Sequence, residues 1–129
     1  METNTGIYNI YFNTDLNTVV MEWNGYATSG QFREGTELML NTLIKNNSSK
    51  VLADIKDMVL IGIEDQKWLN AEFLPRAFKF GFQNIAIVRP DNYFNKIAVE
   101  SVSYKVDKEK LRINFFNNTA EAKDWLSKI

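Results

Sequence analysis

The sequence predicts one α/β domain, residues 1–129, in which four helices pack on a mixed, mainly parallel sheet of five strands. The first observation is that strand-like and helix-like apolar patterns alternate, in the order ββαβαβαβα. The second is the length of 129 residues, which supports one hydrophobic core but not two domains. The third is that no repeat, linker or low-complexity stretch divides the sequence.

A β-hairpin is expected near the amino-terminal end. Tyr8, Ile10 and Phe12 alternate with more polar neighbours, and residues 19–23 alternate in the same way after a turn-rich break at residues 13–17. A connection this short makes the two strands antiparallel.

The first helix is expected after Gly25, with Thr28 or Ser29 as its N-cap. Its apolar positions follow helical spacing, and a polar cluster at residues 46–49 ends it. These positions are Phe32, Thr36, Met39, Leu40 and Leu43. Residues 51–55 then have the apolar character of a short strand buried in a parallel sheet.

The second helix is expected to have Asp65 as its N-cap and Gly81 as its C-cap. Pro75 should kink or restart this helix, because proline has no backbone N–H to donate. Phenylalanines 73, 78, 80 and 82 crowd around Pro75 together with Arg76 and Lys79. A core-facing kinked helix explains this cluster better than nucleic-acid binding, because the chain has no positive net charge.

The last third of the chain predicts a strand, a helix, a strand and a final helix. The strands are residues 85–88 and 111–116, and the third helix runs from about residue 92 to 106 and buries Phe94, Ile97, Ala98 and Val102. Asn118 and Glu121 have the spacing of a capping box. The final helix carries an apolar stripe of Ala122, Trp125, Leu126 and Ile129, which predicts that Trp125 is a structural anchor.

The composition excludes several kinds of site. The absence of His and Cys excludes Cys and His nucleophiles, histidine-based triads, Cys/His metal sites and disulfides. The net charge of −1 gives no electrostatic basis for binding nucleic acid or an anionic membrane. We therefore expect no catalytic residue, no metal and no cofactor; an enzyme would have to use Asp, Glu, Lys, Tyr or Ser alone.

Residues 1–9 lack the basic and apolar regions of a signal peptide, and no apolar run approaches the length of a membrane span. The cytoplasm is therefore the expected compartment.

Two polar clusters are candidate sites. Asp54 and Asp57 follow a predicted strand and resemble an acid–base pair, although a strand-end turn and cap explains them better. Thr28, Ser29 and Gly30 open the first helix, where free backbone N–H groups favour an anion. Capping alone also accounts for these residues, and no glycine-rich nucleotide motif accompanies them.

An apolar connector follows the third predicted strand. It contains Met58, Val59, Leu60, Ile61 and Ile63 around a single glycine, whereas connectors are normally polar. One interpretation is an interface for a protein partner or for a homodimer. The alternative is that the connector tucks under the second helix as additional core.

Several short segments carry a family resemblance. They are Trp23 and Gly25 before the first helix, residues 51–54 (VLAD), residues 81–90 (GFQNIAIVRP), and Phe115-Phe116 followed by Ala122 and Trp125-Leu126. In this order and spacing the chain resembles the SpoIIAA-like fold of anti-sigma-factor antagonists and STAS domains. It is most similar to the small stand-alone SpoIIAA-like (STAS/SEC14-type) bacterial proteins.

The resemblance implies a role in binding and not in catalysis. In the antagonists, the segment after the third strand carries a serine or threonine that a partner kinase phosphorylates, but residues 57–65 of this chain contain no hydroxyl side chain. The implied function is a regulatory interaction module without that phosphoacceptor. The SEC14-like side of the resemblance implies instead a small-molecule or lipid carrier with a pocket between the sheet and the kinked second helix.

Overall fold

A computed structural model describes residues 2–59, 61–89, 97, 100 and 102–129. These residues contain a mixed sheet of six strands whose spatial order follows the sequence. The strands are β1 (Thr3–Asn4), β2 (Tyr8–Asn13), β3 (Thr18–Gly25), β4 (Lys50–Met58), β5 (Asn84–Val88) and β6 (Arg112–Phe116). The pairs β1–β2 and β2–β3 are antiparallel, and the pairs β3–β4, β4–β5 and β5–β6 are parallel. The predicted α/β class is confirmed.

Four α-helices begin and end within the described part of the chain: α1 (Ser29–Lys45), α2 (Ile63–Trp68), α3 (Leu74–Lys79) and α4 (Thr119–Ser127). A π-helical turn, Leu69–Phe73, joins α2 directly to α3. Residues 102–104 are also helical.

The prediction of five strands misses β1 at the edge of the sheet. Thr3 and Asn4 pair with Ile10 and Asn9, and Gly6 turns the chain between β1 and β2 with a φ of 90°. Two residues are too few to show the alternation that identifies a strand, so the tertiary pairing alone defines β1.

The first helix forms as predicted, because its signals are local. The Thr28 hydroxyl accepts the Gln31 N–H, and the Gln31 side chain accepts the Thr28 N–H, which completes a capping box. The predicted apolar stripe is confirmed by the burial of Phe32, Thr36, Met39, Leu40 and Leu43.

The second helical segment differs from the single capped helix that the sequence predicts. The N-cap is Gly62 and not Asp65, because the Asp65 carboxylate is buried against α1 instead. The π-helical turn lies immediately before α3, where Pro75 occupies the first turn. A proline cannot donate to the carbonyl four residues back, and a helix commonly changes its hydrogen-bond pattern at such a residue. Gly81, with a φ of 96°, follows the C-cap Phe80.

The predicted third helix lies largely outside the described residues, including Phe94 and Ala98. Ile97 is described, and its predicted burial is wrong, since 47% of the residue is exposed. Tyr104, seven residues further along, is exposed too, while Ser103 and Val106 are buried.

The sheet separates two hydrophobic cores. Residues of β4 alternate between them, with Val51, Ala53 and Ile55 on the side of α1 and Leu52 on the side of α4. The larger core lies under α1 and the α2–α3 segment, whereas the smaller one packs Ala122 and Leu126 of α4 against the sheet.

The final helix forms with Asn118 as its N-cap, whose side chain accepts the Glu121 N–H at 2.9 Å. The capping box that the spacing predicts is only half formed in the described part of the chain, because the Glu121 side chain does not accept the Asn118 backbone N–H. Trp125 is only half-buried, and its ring lies 5.8 Å from the ring of Phe116. It therefore contributes to the edge of the smaller core.

Helix α1 lies very close to the sheet at Gly35. A Cβ atom placed there would be 2.6 Å from Cη2 of Trp23 and 3.1 Å from Cδ2 of Tyr8. The missing side chain of Gly35 is what allows the helix backbone to pass over these two rings.

Near the same contact, the Tyr8 hydroxyl donates a hydrogen bond to the Glu34 carboxylate. Burial and the neighbouring carboxylate raise the pKa of Tyr8 to about 12.

We expect Gly35→Ala to lower the free energy of unfolding by about 1–3 kcal/mol, because the Trp23 ring must move to accept the methyl group. Gly30→Ala in the same helix is the matched control. Its Cβ would lie 3.9 Å from the nearest atom, the Thr28 hydroxyl oxygen. Because alanine favours helix over glycine, this control should be neutral or slightly stabilising. Urea unfolding of both variants measures the difference, and equal effects would contradict the close packing at Gly35.

We expect the stability of the folded state to fall between pH 10 and pH 12 through Tyr8. The folded chain holds the phenolic proton to a pKa of about 12, against 10.0 for an ordinary tyrosine. The contribution of Tyr8 is therefore fully present below pH 10 and is lost as the pH rises towards 12. Urea unfolding should show a loss of up to about 2 kcal/mol that Tyr8→Phe lacks. Parallel pH profiles for the two proteins would contradict this assignment.

Candidate ligand cavity

A cavity of about 120 Å³ lies between the sheet and the helices that cover its larger core. From the strands it is lined by Met21, Trp23, Ala53, Ile55, Met58, Ile85, Ile87 and Ile113. From helices and connections it is lined by Phe32, Thr36, Met39, Ile61, Leu69, Phe73, Leu74, Phe82, Val102, Ser103, Val106 and Leu111. The α2–α3 segment therefore forms one wall of the cavity, and the sheet forms the opposite wall.

The lining of the cavity is almost entirely apolar. Its two hydroxyl groups are already used within helices, since Thr36 donates to the Phe32 carbonyl at 2.7 Å and Ser103 donates to the Glu100 carbonyl at 2.8 Å. Neither hydroxyl hydrogen is left for a ligand. The molecule that this cavity suits is consequently apolar and needs no hydrogen bond.

A row of aromatic rings lies on the side of the cavity towards α1; Trp23, Phe32 and Phe73 line the cavity, and the other two rings pack against them. Trp23 lies between Tyr8 and Phe32, with ring centroids at 5.2 and 5.6 Å. Trp68 continues the row at 6.3 Å from Phe32 and 5.4 Å from Phe73. Adjacent rings at these separations hold one another in place, so this wall is preorganised.

Charged side chains tie the α2–α3 segment to α1. The buried Asp65 carboxylate accepts hydrogen bonds from the Ser29 hydroxyl at 2.9 and 3.0 Å and from Nε of Arg33 at 3.2 Å. The Arg33 guanidinium also lies 5.2 Å from the centroid of the Trp68 ring.

A second contact between charged side chains joins the α2–α3 segment to α1. Arg76 of α3 donates to Glu37 of α1 at 2.7 Å, and its guanidinium lies 5.5 Å from the centre of the Phe73 ring. These two charged contacts hold the α2–α3 segment against α1, and none of their residues lines the cavity.

Unfilled apolar space under a helix is energetically unfavourable. In large-to-small core variants, each Å³ of sealed cavity lowers stability by about 24 cal/mol. A molecule that fills apolar space between the sheet and the helices therefore stabilises the folded state.

The predicted anion site at Thr28, Ser29 and Gly30 is occupied by protein contacts. Thr28 forms the capping box with Gln31, and Ser29 donates to Asp65. The Asp65 carboxylate places a negative charge beside Ser29. Anion binding at this helix end stays a prediction, and capping accounts for the same residues.

The apolar connector is divided between core and surface. Met58 and Ile61 are buried and line the cavity, whereas Val59 and Ile63 are 45% and 68% exposed. Leu60 lies outside the described residues. The core interpretation therefore describes Met58 and Ile61, whereas Val59 and Ile63 have the exposure that an interface requires.

Asp54 and Asp57 lie within β4 and not in a turn after it, so the predicted strand end at residue 55 is wrong. The strand continues because Gly25 and Met58 still pair, and the Val59 N–H donates to the Gly25 carbonyl at 3.0 Å. The Asp54 carboxylate accepts the Lys56 N–H at 3.2 Å.

No family model matches the chain, and no curated protein or solved structure matches it either. Among the described residues, no helix combines the length and the apolar character that crossing a membrane requires.

Sequence reasoning located the cavity region but not its lining. Pro75 predicted that the second helix is kinked, and the SEC14-like side of the resemblance implied a pocket between this helix and the sheet. A further signal is Ala53, a small side chain among larger ones on a buried strand. The lining residues from β3, β5 and β6 are brought together only by the strand register, which the sequence does not display.

Proposed function

We propose that this chain is a non-catalytic binding protein that holds a small apolar molecule in the cavity between the sheet and the α2–α3 segment. The observation that carries the proposal is an apolar cavity of about 120 Å³ whose two lining hydroxyls donate within the protein. Ligand binding would offset the energetic penalty of the void, because a molecule that binds only the folded state stabilises it.

The size of the cavity limits the ligand. An engineered apolar cavity of about 150 Å³ stays dry and binds benzene or xenon. A cavity of about 120 Å³ fits a compact hydrocarbon group of similar size. An extended lipid chain would need the α2–α3 segment to move away from α1.

The resemblance to SpoIIAA-like proteins of the STAS/SEC14 type agrees with a binding function. The mixed sheet and its helices fit the general α/β class that the resemblance implies. The absence of a hydroxyl side chain in residues 57–65 favours a relative that binds a ligand or partner without phosphorylation.

Benzene binding tests the proposal. Ala53 lines the cavity from β4, so Ala53→Leu places a larger side chain in the space that a ligand would occupy. We expect benzene to raise the melting temperature of the unmodified protein, with a stabilisation of about 1.4 kcal/mol at ten times the dissociation constant. This shift should disappear in Ala53→Leu.

Ala71→Leu is the matched control, because Ala71 is exposed on the π-helical turn. It should keep the full response to benzene. Circular dichroism checks that each variant is folded. An unmodified protein that does not respond to benzene, or an Ala53→Leu variant that responds equally, would disprove the cavity assignment.

Self-association is a second candidate function, favoured by exposed apolar side chains that follow two adjacent strands. Tyr26, after β3, is 61% exposed, and Val59 and Ile63, after β4, are also exposed. Because β3 and β4 are parallel neighbours, their carboxyl ends lie side by side, and these residues follow those two ends. Large exposed apolar side chains grouped in this way are typical of an interface, and a second copy of the chain is the partner we consider.

Sedimentation tests this second candidate. Ile63→Asp should turn a dimer into a monomer while preserving the fold, because an acidic residue in the first turn of a helix is favourable. Tyr104→Asp is the control, since Tyr104 is exposed on a different element. An unmodified protein that sediments as a monomer at all concentrations would exclude self-association.

A further inference from the structure

A second cleft, chemically unlike the apolar cavity, lies where the parallel strands β5 and β6 begin. The exposed residues Val59 and Ile63 lie at the other end of the parallel strands, after β4. The cleft has a volume of about 750 Å³ and lies beside α3 and the amino-terminal ends of β5 and β6. Lys79 ends α3, and Arg112 begins β6 opposite Asn84 of β5. Lys108 and Lys110 come from the turn before β6.

Positive charge is concentrated in this cleft. Lys79, Lys108, Lys110 and Arg112 line it together with one acidic side chain, that of Glu109. The chain as a whole has a net charge of −1, so these four cations are a local excess. A concave surface with an excess of one sign of charge attracts and concentrates small ions of the opposite sign.

Most of this charge is not neutralised by the protein. The salt bridges found among the described residues use Arg33, Lys67, Arg76 and Lys128, and none of these lines the cleft. Lys108 donates to the Ser103 carbonyl at 2.7 Å and keeps its charge. Lys79, Lys110 and Arg112 have no ion pair within the described part of the chain.

The cleft also has an apolar wall and uncommitted amides. Phe78 is half-buried and Phe82 is buried, and Phe82 lines the apolar cavity as well. The side-chain amides of Gln83 and Asn84 line the cleft and make no hydrogen bond with other described residues. Cations, amides and aromatic side chains at one place suit a ligand with an anionic group and an apolar body.

We propose that this cleft binds a small phosphorylated molecule that carries an aromatic or apolar group. Arg112 and Lys110 contact the phosphate, since a guanidinium presents paired N–H donors to phosphate oxygens and a lysine adds a compact charge. Phe78 contacts the apolar body. This site is separate from the apolar cavity, so it stands whether or not the cavity binds a ligand.

Phenyl phosphate is the probe, and isothermal titration calorimetry measures its binding. We expect the double variant Lys110→Ala, Arg112→Ala to weaken binding at least about tenfold, because it removes both charged donors that contact the phosphate. The control is Lys56→Ala, Lys123→Ala, which removes the same net charge from exposed lysines outside the cleft. It should change the affinity by less than about twofold, since distant surface charges are screened by salt.

These affinities distinguish a specific binding site from general electrostatic attraction. An equal loss of affinity in the two double variants would overturn the site, and so would undetectable binding to the unmodified protein. Inorganic phosphate should bind more weakly than phenyl phosphate, because it cannot contact Phe78. Equal affinities would overturn the role of the aromatic wall.

Vesicles distinguish a free ligand from a lipid headgroup. Cosedimentation with vesicles of phosphatidylcholine containing phosphatidylglycerol, lost in the Lys110→Ala, Arg112→Ala variant, would assign the phosphate to a lipid. Binding of phenyl phosphate without cosedimentation would assign it to a soluble molecule. Cosedimentation that the variant retains, without phenyl phosphate binding, would overturn the site.

Discussion

The close approach of α1 to the sheet at Gly35 is the constraint on which much of the structure depends. Any side chain at this position would place its Cβ 2.6 Å from the Trp23 ring, so the helix can lie this low only over a glycine. The low position brings Phe32 against Trp23 and Glu34 to the Tyr8 hydroxyl. It also sets where α1 presents Ser29, Arg33 and Glu37 to the α2–α3 segment. The aromatic contacts and both charged contacts with the α2–α3 segment therefore depend on the absence of a side chain at Gly35.

The cavity lies where two helical segments on the same face of the sheet pack differently. Helix α1 packs tightly at Gly35, whereas the α2–α3 segment changes its hydrogen-bond pattern at the π-helical turn. At its outer side, this segment is held to α1 by the polar contacts of Asp65 and Arg76. At its inner side, Phe73 and Leu74 are buried in the larger core and line the cavity.

The features that the sequence predicted are those with local causes. Thr28 and Gln31 cap α1 through contacts three residues apart, and the buried stripe from Phe32 to Leu43 is a property of one helix. The predictions that were wrong failed because of contacts between residues far apart in the sequence. Asp65 has a suitable side chain for an N-cap, but Ser29 and Arg33 on another helix take its carboxylate. The candidate sites followed the same division. Pro75 predicted the kinked helix beside the cavity, whereas Lys79 and Arg112 line one cleft only because the fold brings α3 and the start of β6 together.

The sequential order of the strands also bears on how the chain reaches this structure. Each strand from β2 to β6 pairs with the strand that precedes it in the sequence, so every addition extends an edge that is already formed. The hairpin of β2 and β3 involves the shortest connection between paired strands of this length and can form early. Each parallel strand then pairs across one crossover connection, so no pairing has to span more than the segment between neighbouring strands. Assembly by addition to one edge therefore needs no rearrangement of strands already in place.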